Sequence, residues 1–159
     1  MSKSLQFALG TLALTVLSGC TSQHQQLVHF PDQKQLVEDP EKARIYVIRE
    51  PWLWNLASHM QLVTVRDGDT TIGSIAGHRG YLCWEREPGQ ANISCAGDKG
   101  GILVTVEKGR AHYILQHLEP VWGTMVAPGG GQMATRLESV NEERGKRELS
   151  KCKPPTSSN

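Results

Sequence analysis

The chain has almost no net charge: 17 lysines and arginines stand against 16 aspartates and glutamates in 159 residues. Nucleic-acid binding rests on clustered cations that neutralise phosphates. No such cluster occurs, so nucleic acid is excluded as a partner. Nor is there an apolar run of the ~20 residues needed to cross a bilayer. Motifs that carry chemistry are missing as well. The six histidines show no zinc-site spacing, and neither HExxH nor a CxxC pair is present. His112 and His117 are five apart, so on a strand they face opposite sides. The glycines of 97–101 and 128–131 lack the GxxxxGK[ST] pattern of a phosphate loop, and no GxSxG elbow occurs. No nucleophile, base or metal set assembles, so the reading is a protein without catalytic residues, metal or cofactor.

What is present begins with three zones at the N-terminus. Met1 to Ser4 carries one positive charge, Lys3; residues 5–16 (LQFALGTLALTV) are uncharged and mostly apolar; Leu17-Ser18-Gly19 then precedes Cys20. A charged start, an apolar stretch of about a dozen residues and a small-residue cleavage site read as a secretory signal peptide over residues 1–19. Leu17, Ser18, Gly19 and Cys20 resemble the lipobox of bacterial lipoprotein precursors. The resemblance implies that a diacylglycerol is attached to the Cys20 sulfur, that the chain is cut before it, and that the new amine is acylated. One acyl chain binds a membrane only marginally, and two or three hold it firmly. In that family an Asp directly after the cysteine favours the inner membrane. Thr21 and Ser22 stand here instead, so the expected place is the outer membrane, facing the periplasm.

Export changes how the other cysteines are read. Cys83, Cys95 and Cys152 would lie in a compartment that permits disulfides. If residues 80–96 form a hairpin with a three-residue loop at Pro88-Gly89-Gln90, Cys83 stands opposite Cys95, within the ~4.4–6.8 Å that a disulfide needs. A two-residue loop spoils that register and leaves Cys152 as the alternative partner, or no disulfide at all.

Residues 20–42 are polar, with Pro31 and Pro40 and no sustained period, and read as a lipidated cysteine followed by a tether. From Ala43 the texture changes to short β-like runs separated by turn residues. Asp67-Gly68, Pro88-Gly89 and Lys108-Gly109 mark the turns, and about seven strands fit between 43 and 118. Residues 136–140 suggest one more strand. Asn141 followed by Glu142 and Glu143 is a helix start, leading to Leu149, with Gly145 weakening it by about 1 kcal/mol. Residues 126–131 read as a loop and 153–159 as a disordered tail. The expected fold is an all-β, antiparallel sandwich over residues 43–152 with a short C-terminal helical segment.

Three pieces of this region resemble the domain of unknown function 2846 family, a group of bacterial lipoproteins: ARIYVIR at 43–49, RDGDTTIG at 66–73, and Gly80-Tyr81 followed by EPGQ at 87–90. The family more often has His or Arg where Gln90 stands. The resemblance implies a small β-sandwich on a lipid anchor and carries over no catalytic residue.

Trp52 and Trp54 follow Pro51, in a segment between two strands where a polar loop is expected. Exposed, they would form an aromatic surface for a partner, a glycan or the lipid interface; folded over an open end of the sandwich, they would be core. Trp84 and Trp122 read as core or edge residues. The functional expectation is a membrane-anchored envelope lipoprotein with a non-catalytic module that is structural or binds a protein. The alternative is a small-ligand or glycan-binding domain using Trp52 and Trp54.

Overall fold

A computed structural model describes residues 24–50, 62–77, 79–97, 100–121 and 133–157. Their strands are β1 (Gln25–Gln26), β2 (Ala43–Arg49), β3 (Val63–Asp67), β4 (Thr70–Ile75), β5 (Tyr81–Arg86), β6 (Gly89–Cys95), β7 (Ile102–Val106), β8 (Ala111–Pro120), β9 (Met133–Val140) and β10 (Thr156–Ser157), with one helix, α1 (Glu142–Leu149). Two sheets pack face to face, a six-stranded one in the order β10-β1-β4-β3-β6-β7 and a four-stranded one in the order β5-β2-β8-β9. The all-β sandwich with a C-terminal helix is therefore the fold. It is mixed rather than wholly antiparallel, because β2 runs parallel to β8 and β1 parallel to β10.

β2 organises the molecule. Every one of its side chains is buried, as expected of a central strand covered on both faces. Ile45 and Val47 point between the sheets with Leu82, Trp84, Ile114, Val65 and Ile93. Tyr46 and Ile48 point the other way, into a second apolar layer with Tyr81, Cys83, Tyr113 and Leu115. That outer layer is covered by Phe30, Leu149 and Cys152, from the N-terminal segment and the end of the helix. Tyr46 and Tyr113 stack with ring centroids 5.1 Å apart.

Four expectations need correction. First, residues from 24 onward are not a tether: β1 is inserted between β4 and β10, and Gln26 is buried with its amide bonded to the Cys83 carbonyl at 2.6 Å. Second, the end of the chain is not a disordered tail through Ser157, because β10 pairs with β1 and Lys153 bridges Gly80. Third, the Pro88-Gly89 and Lys108-Gly109 turns do not close hairpins. β5 pairs with β2 while β6 pairs with β3 and β7, so each turn carries the chain from one sheet to the other. Positive φ at Gly89 (131°) and Gly109 (69°) permits both crossings.

The fourth follows from the third. Cys83 lies in the outer layer and Cys95 between the sheets, so they do not face one another, and Cys83, Cys95 and Cys152 are all outside any disulfide. The Asp67-Gly68 signal does make a hairpin, β3–β4, with Asp67 paired to Thr70. Asn141 caps α1, its side chain accepting from the Arg144 amide at 2.9 Å. Gly145 has a positive role that propensity does not show: α1 lies so close to β8 that a Cβ there would overlap the ring of Tyr113.

Candidate functional site

The ends of β3, β4 and β5 and the N-terminal segment enclose an open cleft of about 510 Å³. Ile72 and Val28 give it apolar ground, and Trp84 forms part of its wall. Strand alternation aims Trp84 and Arg86 of β5 toward the six-stranded sheet, where Asp67 ends β3. One Asp67 carboxylate serves both: it accepts from the Trp84 indole Nε1 at 3.1 Å and from Arg86 Nη1 at 2.5 Å. Glu85, facing the other side of β5, accepts from Arg44 Nη2 at 2.8 Å and from the backbone amides of Glu38 and Asp39. It thereby clasps the segment that forms the rim. On that rim His29 meets Glu38 at 3.0 Å. Contacts with the His29 ring and the Asp32 amide hold the Glu38 carboxyl below its ordinary range. The cleft thus offers both signs of charge, already paired, over an apolar floor. Its size suits a small polar molecule without large net charge.

A second cluster sits on the outer face near the ends of β2 and β8. His117 places Nδ1 2.9 Å from Glu50 and Nε2 2.9 Å from Glu138, while Arg144 of α1 reaches both carboxylates. It joins β2, β8, β9 and α1 electrostatically. Among the described residues no three His, Cys, Asp or Glu side chains converge as ligands for a metal, and no helix is long and apolar enough to cross a membrane. Two of the thiols are held in the neutral form by their surroundings. Burial pushes Cys83 up to about 12 and Cys152 up to about 11, far from the thiolate that nucleophilic chemistry requires.

Of the residues singled out by sequence, Cys20, Trp52, Trp54 and Trp122, and the loop at 126–131, lie outside the described residues. Trp84 is core, 4% exposed. The cleft was missed because its parts read as other things: Asp67 as half of a turn, and residues 28–42 as a tether. No protein-family model, curated protein or solved structure matches the chain.

Proposed function

We propose that the protein is an envelope lipoprotein, anchored through acyl chains on Cys20 to the outer membrane facing the periplasm, whose sandwich is a non-catalytic module for holding another protein. The observation that carries the protein-binding part is the edge strand β7. Its sequence, ILVTV, has no charge and no proline, Leu103 is 63% exposed, and among the described residues no strand pairs with its outer edge. Natural sheets blunt such edges with charges, prolines or bulges. One left apolar is suited to accept an extended segment of a partner, which would add backbone hydrogen bonds in register. The non-catalytic part is supported by the ionisable groups around the cleft and around His117, which engage one another.

A photocrosslinking residue placed at Leu103 in intact cells tests the reading. A discrete adduct at Leu103, absent when the same residue replaces exposed Lys34, is expected; equal or no adducts at the two positions would overturn protein binding through β7. The anchor has its own test. Cys20→Ser should abolish incorporation of a labelled fatty acid, and equal label in the two proteins would refute lipidation. A second reading, binding of a small polar ligand, is favoured by the cleft beside Trp84. Arg86→Ala should then remove saturable binding of such a ligand while β7 crosslinking persists.

A further inference from the structure

The lipidation reading and the position of β1 together set how the domain must face its membrane. Only residues 21–23 separate Cys20 from His24, the residue that leads into β1. Four residue steps span at most ~14 Å fully extended. Whatever surface surrounds His24 is therefore held within that distance of the acylated cysteine.

That surface is basic. Gly80 packs so tightly on the His24 ring that any Cβ there would overlap it. Next to it Lys153 bridges Gly80 and donates its amide to the Arg79 carbonyl at 2.8 Å. The His24 carbonyl accepts from the Thr156 amide at 2.8 Å, which fixes the segment after Lys153 on the same edge. Arg79, Lys151 and Lys153 are all exposed. Lys151 stands two residues before Lys153, whose amide holds the Arg79 carbonyl, so the three belong to one edge. The only acid in the last turn of α1, Glu148, is shared by Arg147 and Lys151. The acids at the start of the helix, Glu142 and Glu143, are a helix length away, about 12 Å for eight residues. In a chain with 17 basic and 16 acidic side chains overall, this is a local excess of positive charge, located where the anchor enters.

We propose that the edge carrying Arg79, Lys151 and Lys153 rests on anionic phospholipid headgroups of the bilayer that holds Cys20, an inference that rests on the lipoprotein reading. Juxtamembrane cations gain from a negative lipid surface by about fivefold in association each, and the gain falls off within a Debye length. The leader is short enough to let the edge come inside that range, about 8–10 Å. The docking presents the far side of the sandwich, and not this edge, to other proteins.

The test uses the purified lipidated protein in two kinds of vesicle, phosphatidylcholine alone and phosphatidylcholine with about one third phosphatidylglycerol. An amine-acetylating reagent is applied and each lysine is quantified by mass spectrometry. Lys108 serves as the internal reference. It lies just beyond the opposite end of β2 and β8, whose residues 44–49 pair with 111–116, about 20 Å from Gly80. Lys151 and Lys153 should be labelled at least about fivefold more slowly on the phosphatidylglycerol vesicles, with Lys108 unchanged, and about 1 M salt should remove the difference. Equal labelling on the two vesicles would overturn the docking. The mass of the N-terminal peptide separates the two claims. Acyl chains present with equal labelling refutes the docking alone, whereas a peptide without them refutes the anchor and the docking with it.

Discussion

Arg44 and Glu85 stand directly opposite one another on β2 and β5, with Nη2 2.8 Å from Oε1 and side chains only 0% and 9% exposed. The pair lies under the segment 33–39 and holds it. Arg44 also donates to the Gln35 carbonyl at 2.8 Å, and Glu85 takes the amides of Glu38 and Asp39.

Removing one member leaves a buried charge uncompensated. Arg44→Met is expected to cost about 3–5 kcal/mol in urea unfolding, and combining it with Glu85→Leu should cost less than the sum of the two single changes. A loss below about 1 kcal/mol for Arg44→Met would show that this pair does not hold the segment.

Gly145→Ala separates propensity from packing. Helix propensity alone gives the alanine variant about 1 kcal/mol of added stability. The overlap of the new methyl with Tyr113 should reverse the sign, for a net loss of about 1–3 kcal/mol. A stabilised variant, read by thermal unfolding, would mean that α1 does not lie against β8 at this distance.

The thiols should stay apart. Non-reduced peptide mapping of protein from an oxidising compartment is expected to find Cys83 and Cys95 unlinked. Alkylation of Cys83 at pH 8 should require unfolding, because burial holds it as the neutral thiol, with its pKa pushed up to about 12. A folded-state value above the unfolded one means stability present at neutral pH and lost as pH rises from about 9 toward 12, by up to about 1.4 kcal/mol per pH unit for each such group. Cys83→Ala should flatten that alkaline loss. A Cys83–Cys95 peptide would overturn the assignment of these strands to separate sheets.

His24 governs the acid side. Burial first, then the charges of Arg49 and Lys153, lower its pKa below 6.5, and its Nδ1 accepts from the Ala76 amide at 3.2 Å. Protonation would set two donors face to face. With the folded-state value depressed, stability is present above 6.5 and lost as pH falls through the folded pKa. His112, lowered chiefly by burial, adds to the same loss. His24→Gln should reduce the drop in melting temperature between pH 7 and pH 5, and an unchanged drop would remove His24 from this role.

The strands of residues 43–118 and the helix cap at Asn141 were legible because each leaves a local mark, a run of β-branched residues or an Asn before two acids. The sheet to which a strand belongs leaves none. Gly68 and Gly89 both permit an unusual backbone, yet one closes a hairpin and the other passes between sheets; the difference lies in what β6 meets across the molecule. Gln25 and Gln26 escaped for a related reason. A two-residue strand has no period, and the burial of Gln26 depends on a carbonyl 57 positions away. The cleft was hidden with them, since half of its rim comes from the segment that reads as a tether.

The pairing of Gln25 with Thr156 also sets an order of assembly. It joins positions from opposite ends of the chain, and contacts of large sequence separation pay their closure entropy late in folding. β2 to β8 can collapse on pairings among themselves, the widest of which joins Arg44 to Ala111, but the seam formed by β1 and β10 closes only once the chain has been made through Ser157. Until then the free edge of β4 is open, and Gly80 has neither His24 nor Lys153 against it. Shortening the chain before Thr156 would therefore loosen the end that carries Cys20, although the two lie at opposite ends of the sequence.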